Sequence, residues 1–442
     1  MSALDELGPG SRVVYACLDP GVPAFGGKGC SVHVQEVLRV LAATGAQVHL
    51  LTTRTGGPPP AGLEQVHVHH LPLPAGRTGA EREQDQRALD ERAGHLVSAL
   101  LRGAARALVY ERYALFAHAV QESARALGVP SVLEVNAPLP LEQARHRTLH
   151  DAAGADASTR RALRAATRVV AVSSPVAQWV HHVLRQPGAE RAGAELDVDV
   201  DVEVDVEVDV AVVPNGVDVH RFRPAARPLP GEPLPDERLP GEPLPDSADD
   251  SAGGGRGGTF TLAFVGAFRP WHGVDLLVEA AGRLAALPGR PVRLLLIGDG
   301  PQRGAVLRRA AELDVAVEAP GALEPAAVPA ALAGADAAVA PYPAGAAYFS
   351  PLKVAEYLAC ALPTVAAAVG DLPDCYGDGQ ELLLTAPGDV DALTGALQRL
   401  RTDAALRTRL GAAGRAAVEQ RRSWRRTVEL SLPAAPAERR SA

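Results

Sequence analysis

The sequence predicts an α/β protein made of two doubly wound, Rossmann-like domains that face each other across a central cleft. Three observations carry this expectation. Short apolar, β-branched runs alternate with longer helical patterns, which implies parallel strands covered by helices on both faces. The alternation occurs twice, interrupted by a stretch rich in proline and glycine. And 442 residues exceed what one ordinary core accommodates, so two domains are expected.

The first domain is expected over 1–224, with strands in "RVVYACL" (12–18), "QVHLLTT" (47–53), "ALVYERY" (107–113), "PSVLEVN" (130–136) and "TRVVAVS" (167–173). Residues 195–210 form a low-complexity acidic insert leading toward a last strand near "VVPNGVD". The 225–258 stretch repeats "LPGEPLPD" and ends in a glycine run; proline at that density cannot donate ladder hydrogen bonds, so it is read as a linker. The second domain, 259–420, has strand runs at 260–268, 292–300, 316–323, 336–342, 363–368 and 381–386, with helices at 273–287 and 351–361. The tail, 421–442, carries four arginines around Trp424. It is read as a terminal helix crossing back onto the first domain, in preference to contact with an anionic membrane surface.

Composition narrows the class. An apolar share of 47% fills two cores, and the net charge of −8 is matched by the eight acids of Glu195–Asp209 alone, leaving the rest near neutral. A nucleic-acid partner is therefore not expected. In an extended strand those alternating acids stand about 7 Å apart, whereas calcium takes six to eight oxygens at roughly 2.3–2.6 Å; a solvated connector is expected, and no metal site. Cys17, Cys30, Cys360 and Cys375 lack C-x-x-C spacing, which argues against a zinc knuckle or disulfide scaffold. With no signal-peptide pattern and no long apolar run, a soluble, cytoplasmic chain is expected.

Three segments at predicted strand ends carry candidate chemistry. In "PAFGGKGCSVHVQEVLRVL" (23–41), Gly26 and Gly27 open a helix whose N-terminal amides suit a phosphate or sugar hydroxyl, although a tight β-to-α turn explains them equally well. In "FVGAFRPWHGVDLL" (264–277), Arg269 and His272 can hold a diphosphate and stabilise its growing charge; an exposed arginine and a loop histidine are the bland alternative, and Trp271 is expected to pack. In "YFSPLKVAEYLACALPTVA" (348–366), Ser350 caps a helix with Pro351 at its first position. That helix puts Lys353 and Glu356 on one face, suited to a phosphate and to the vicinal hydroxyls of a ribose, or to a plain surface ion pair.

Taken in order, "VVPNGVDVHRFRP" (212–224), "FVGAFRPWHGVDLLVEA" (264–280), "LLLIGDGPQR" (294–303), "ADAAVAPY" (335–342) and "SPLKVAEYLACALPTVA" (350–366) resemble the retaining glycosyltransferases of family four, of the group 1 type, which have the GT-B fold. The resemblance covers nearly the whole chain apart from 195–210 and 225–258. It implies a UDP- or GDP-sugar donor held mainly by the second domain and a small-molecule or glycan acceptor on the first. It also implies transfer with retention and needs neither metal nor cofactor. Arg269, His272 and Lys353, with the amides around Ser350, Pro351, Leu352 and Lys353, are then expected to face the diphosphate. Glu356 matches the second glutamate of the E-x7-E motif and is expected to bind the ribose, while the Gly26–Gly27 turn closes over the cleft.

Some positions depart from the family pattern. Tyr348 stands where the first glutamate of E-x7-E would be. Ala267 and His272 fall on the basic pair of G-R-x-x-x-x-K-G, with Arg269 as the substitute arginine. Asn136 replaces a histidine that touches the donor sugar; an amide can hydrogen-bond a hydroxyl but cannot shuttle protons near neutral pH. Glu111 and Arg112 end a strand and either line the acceptor cleft or form a structural ion pair, the latter being favoured. A same-face transfer needs no protein nucleophile, since the leaving phosphate oxygen takes the acceptor's proton. The expected activity is thus metal-independent hexosyl transfer; a GT-B sugar-nucleotide epimerase or a non-catalytic nucleotide-sugar-binding protein are the alternatives. Oligomeric state is left open.

Overall fold

The computed structural model describes residues 3–186, 208–224, 258–345 and 352–433. Its first sheet comprises β1 (Ser11–Cys17), β2 (Gln47–Thr52), β3 (His67–His70), β4 (Arg106–Arg112), β5 (Ser131–Val135), β6 (Arg168–Ala171) and β7 (Asp209–Val212). The strands are parallel, in the order β3-β2-β1-β4-β5-β6-β7. Around it lie α1 (Gly29–Ala42), α2 (Gly79–Leu101), α3 (Ala119–Ala126), α4 (Leu139–His146), α5 (Ala152–Ala165) and α6 (Ser174–Arg185). The second sheet, also parallel, comprises β8 (Phe260–Val265), β9 (Val292–Ile297), β10 (Ala316–Gly321), β11 (Ala337–Ala340), β12 (Thr364–Ala367) and β13 (Leu383–Thr385), in the order β10-β9-β8-β11-β12-β13. Its helices are α7 (Val274–Ala285), α8 (Arg303–Glu312), α9 (Val328–Leu332), α10 (Leu352–Ala359), α11 (Leu372–Cys375), α12 (Val390–Thr402) and α13 (Ala404–Arg421), followed by α14 (Trp424–Ser431).

Both sheets are buried on both faces because alternate side chains of each strand enter different cores. Val13, Tyr15 and Cys17 of β1 pack with Val34, Val37 and Leu41 of α1, while Val14 and Ala16 pack with α2 and α3. In β8, Phe260, Leu262 and Phe264 face α7 and α12, whereas Ala263 faces α10. Each fully buried phenylalanine or leucine there contributes roughly 1.5–3 kcal/mol. The strand order reverses direction between β1 and β4, and again between β8 and β11. At such switch points the connections diverge and leave a crevice outside the carboxyl ends of the strands. In the second sheet that crevice is bordered by the β8–α7 loop and by the first turn of α10.

The strand runs foreseen from the sequence correspond to twelve observed strands, with ends trimmed by a few residues. The one missed is β3, "HVHH", a sheet-edge strand whose partly exposed histidines give no apolar run. β7 begins at Asp209, inside the span read as the acidic insert, and Arg168 of β6 pairs with Asp209 at 2.9 Å. Residues 195–207 and 225–257, which carry the acidic and linker expectations, lie outside the described residues.

After α13 the chain returns to the first sheet. Val217 donates to the Arg422 carbonyl at 2.7 Å, and Trp424, Val428 and Leu432 enter the core shared with α1. Arg425 pairs with Asp5 at 2.7 Å and with Glu429 at 3.0 Å. Among the described residues no helix is long and apolar enough to cross a membrane.

Candidate functional site

The β8–α7 loop leaves the sheet at Gly266 and turns into α7 at Gly273. Arg269 is exposed, its guanidinium 5.7 Å from the Trp271 ring centroid. Trp271, expected to pack, is instead 44% exposed: the tight turn Pro270–His272 carries the indole outward between two basic side chains. His272 turns inward, its Nδ1 bonded to the Ala267 carbonyl and its ring near Phe264 and Tyr342. Burial, with Lys353 and then Arg269 adding repulsion against the hydrogen bond to Ala267, pushes this imidazole down to about 4. It is therefore neutral near pH 7, with Nδ1–H donating to Ala267, and it supplies no positive charge in the free protein.

Lys353, in the first turn of α10, reaches under that loop. Its Nζ lies 4.3 Å from the Phe264 ring centroid and 5.3 Å from that of Tyr342, and a Cβ on Gly266 would stand 2.9 Å from it. The Nζ is buried and has no hydrogen-bond partner among the described residues. Burial pushes the ammonium down to about 7 against the pull of Glu356. One turn on, burial pushes Glu356 up to about 7; Arg221, then Lys353, oppose that shift and Glu36 reinforces it. Lys353 and Glu356 are thus both half-buried at the switch point, with the Lys353 Nζ itself enclosed. Tyr348, Ser350 and Pro351 lie outside the described residues.

The first domain approaches this region through its glycine-rich turn. Gln35 Nε2 donates to the carbonyls of Ala24 (3.2 Å) and Gly26 (2.9 Å), and the Ala24 and Phe25 amides bond to Arg54 and Thr55. Beyond the turn, no side chain caps α1, whose first amides lack helical acceptors. Gly27 faces Pro325 of the second domain, 3.8 Å from the direction of its missing Cβ, and Gly29 likewise faces Leu352 at 3.6 Å. Gly27 and Gly29 are therefore brought to one seam with Pro325 and Leu352 of the second domain, while Gly26 meets Pro23 and Ser31 of its own domain.

Asn136 lies at the carboxyl end of β5 in a buried polar cluster. The Glu134 carboxylate accepts from Tyr110 (2.6 Å) and from the Asn136 amide, and its two oxygens lie 2.9 and 2.8 Å from His33 Nε2. Arg112 donates to Asn136 Oδ1 and stands 3.5 Å from Glu134. Burial alone would raise the Glu134 carboxyl, but His33, Arg112 and Tyr110 outweigh it and hold it at about 2. Glu111 takes no part. It is fully buried against α3, where Gln121 Nε2 donates to it at 2.9 Å, and burial with Asp90 nearby pushes it up to about 8. It neither lines the cleft nor pairs with Arg112, because consecutive residues of a strand point to opposite faces.

Sequence reasoning missed several residues of this region. His33 and Glu36 interrupt the apolar face of α1, a pattern that signals buried partners, here Glu134 and Arg221. Arg221 lies inside the "VVPNGVDVHRFRP" segment but has no periodic signal of its own. Asp371 accepts from the Ser174 amide at 2.7 Å, joining the start of α11 to the start of α6 across 197 residues, which no local pattern announces.

Two doubly wound parallel sheets, with Arg269, His272 and Lys353 at the crevice of the second, give the chain the GT-B architecture. Solved structures share this fold. Sucrose-phosphate synthase from Thermosynechococcus elongatus matches with a TM-score of 0.63 at 18% identity, over 94% of this chain and 96% of that one. HepE from Anabaena, in complex with UDP-glucose, matches with a TM-score of 0.61 at 16% identity, over 95% and 97%. A D-inositol 3-phosphate glycosyltransferase from Stackebrandtia nassauensis is 29% identical over 429 residues, covering 91% of this chain and 85% of the relative. The family model described as "Glycosyl transferases group 1" matches residues 259–403, and that described as "Glycosyltransferase Family 4" matches residues 27–190. The chain belongs to the family-four, group 1 glycosyltransferases.

Proposed function

We propose that this glycosyltransferase moves a hexose-like sugar from a UDP- or GDP-sugar to a hydroxyl of a small acceptor, with retention and without a metal ion. The observation that carries the reading is Lys353: a buried Nζ without a partner among the described residues, at the switch point of the second sheet, beside the loop holding Arg269. A diphosphate seated there supplies the acceptor that Nζ lacks and favours its charged form. Arg269 and the α10 amides share the charge that develops as the nucleotide leaves, and Glu356 accepts from the ribose hydroxyls. His272 orients the loop through its bond to Ala267 rather than contributing charge. The acceptor's proton passes to the departing phosphate oxygen on the same face, so positioning and electrostatics supply the rate. UDP-glucose bound to the HepE fold relative and the inositol phosphate in the name of the Stackebrandtia relative support a nucleotide sugar and a small polyol or its phosphate as the first substrates to try.

The test is thermal stabilisation by a panel of UDP- and GDP-sugars, since a ligand that binds only the folded state raises the melting temperature. NMR of the product then gives its anomeric configuration, with and without EDTA. Stabilisation by one donor class, followed by EDTA-resistant transfer with retention, is expected. Inversion, or loss of activity with EDTA that returns on adding a divalent cation, rejects the mechanism.

A further inference from the structure

We propose that Arg221 is a positioning residue for the donor site: anchored to the second domain, it reaches to Glu36 of the first and sets the charge balance around Glu356. This rests on the reading of Glu356 as the ribose-binding carboxylate.

The backbone under Arg221 belongs mechanically to the second domain. Phe222, 3% exposed, packs in the core that contains Val354, Ala355 and Leu358 of α10. One guanidinium, that of Arg415 on α13, donates to the carbonyls of Val219 (3.0 Å), Phe222 (2.6 Å) and Ala359 (2.6 Å), tying this segment to the end of α10. Asp218 Oδ1 accepts from the amides of His220 (2.9 Å) and Arg221 (3.1 Å), which fixes the local turn.

The side chain runs the other way. Arg221 Nη2 lies 3.1 Å from Glu36 Oε1, on the helix that follows the glycine-rich turn. The guanidinium sits 5.2 Å from the Phe222 ring centroid, and Nε is buried without an acceptor. Glu36, its side chain 5% exposed, also pairs with Arg39 at 2.8 Å. Separating the two domains would break the Arg221–Glu36 contact, so it forms only when α1 and α10 are together.

Arg221 is the strongest opposing charge felt by Glu356, ahead of Lys353. Glu36 acts on Glu356 with like charge, and is itself faced by Arg39 and Asp218. Tyr342, Tyr357 and Cys360 also face Glu356, and burial keeps all three neutral near pH 7. Without Arg221, buried Glu36 and half-buried Glu356 keep Arg39 and Lys353 as their opposing charges among the described residues, and Glu356 ionises at higher pH. A protonated carboxyl accepts two vicinal hydroxyls less well than a carboxylate.

The test is calorimetric titration of the full chain with UDP and with GDP from pH 6 to 9, reading each variant as its Kd ratio to wild type. For Arg221→Met the ratio is expected to be roughly fivefold at pH 7 and to approach about tenfold at pH 6, the effect of moving an ionisation near 7 by one pH unit, and to return toward one at pH 9. Arg221→Lys should stay near wild type. Glu36→Gln, which removes the like charge, should bind at least as well as wild type at pH 6, and it remains informative if Arg221→Met does not fold. A ratio for Arg221→Met that is one at every pH, or raised equally at every pH, overturns the proposal, as does weaker binding by Glu36→Gln. Glu356→Gln separates the two readings. If it binds like wild type, the ribose assignment itself fails; if it binds weakly while Arg221→Met does not, only the role of Arg221 fails.

Discussion

Lys353 carries its ammonium nitrogen to 4.3 Å from the centroid of the Phe264 ring and makes no hydrogen bond to any described residue there. A π-face attracts a cation by only about 0.5–2 kcal/mol, less than the cost of burying the charge, which is why the group is pushed down to about 7. The nitrogen is therefore strained electrostatically in the free protein.

Stability and activity should consequently move in opposite directions in Lys353→Met, which keeps the apolar stem and removes the charge. Because the folded-state value lies below the usual 10.5, the unfolded chain binds more protons between about pH 7 and 10.5. Wild-type stability therefore rises with pH across that window, and the variant loses the rise. Transfer should fall by about 10²–10³-fold, as when one charge-stabilising donor is removed. Melting temperatures at pH 7 and 9, with steady-state rates, check both; a variant that is less stable at pH 7 yet fully active contradicts the assignment.

Glu111 gives a prediction remote from the cleft. Its folded-state value of about 8 stands above the usual 4.5. The stability contributed by its neutral form is fully present below pH 4.5 and is lost as pH rises through about 8, by on the order of a few kcal/mol. Glu111→Gln preserves the shape that meets Gln121 and cannot ionise, so its denaturant midpoint should exceed that of wild type at pH 8.5 and converge with it near pH 5. Equal midpoints at both pH values would show that Glu111 ionises freely in the folded protein.

Glu134 is its mirror image. Held at about 2 by His33, Arg112 and Tyr110 against the cost of burial, it contributes stability that is present above pH 4.5 and lost as pH falls toward 2. Glu134→Gln should lower the denaturant midpoint at pH 7 by more than at pH 3, because it leaves the Arg112 guanidinium without its carboxylate. A variant as stable as wild type at pH 7 would remove the cluster from any role in fixing Asn136.

What was legible in the sequence follows from the range of the signals. Strands such as β1 and β8 are buried on both faces and appear as unbroken apolar runs, whereas β3 lies at a sheet edge with half-exposed histidines and leaves no such trace. Lys353 and Glu356 were readable because helical spacing alone puts them together. The His33–Glu134 contact joins residues 101 apart, and Arg221 meets Glu36 only after residues 217–222 have packed onto α10 and α13. Trp271 was misjudged because its exposure depends on the loop's direction, not on the indole.

That loop direction depends on Gly273, which ends the Pro270–His272 turn with φ of 64° and begins α7. A Cβ there would lie 1.8 Å from the Pro341 carbonyl oxygen, a backbone atom at the end of β11 that cannot swing aside. Gly62 offers an internal control: its φ is 82°, but nothing stands within 4 Å of its Cβ direction. Alanine at Gly62 should therefore cost only the left-handed conformation, about 1–2 kcal/mol. Alanine at Gly273 adds a collision that pushes the β8–α7 loop away from β11, displacing Arg269 and His272 from Lys353. Gly273→Ala should thus melt below Gly62→Ala and lose nucleotide binding, while Gly62→Ala keeps it. Equal melting temperatures with equal UDP affinity in the two variants would mean that the loop accommodates the collision and that its seat against Pro341 does not position the site.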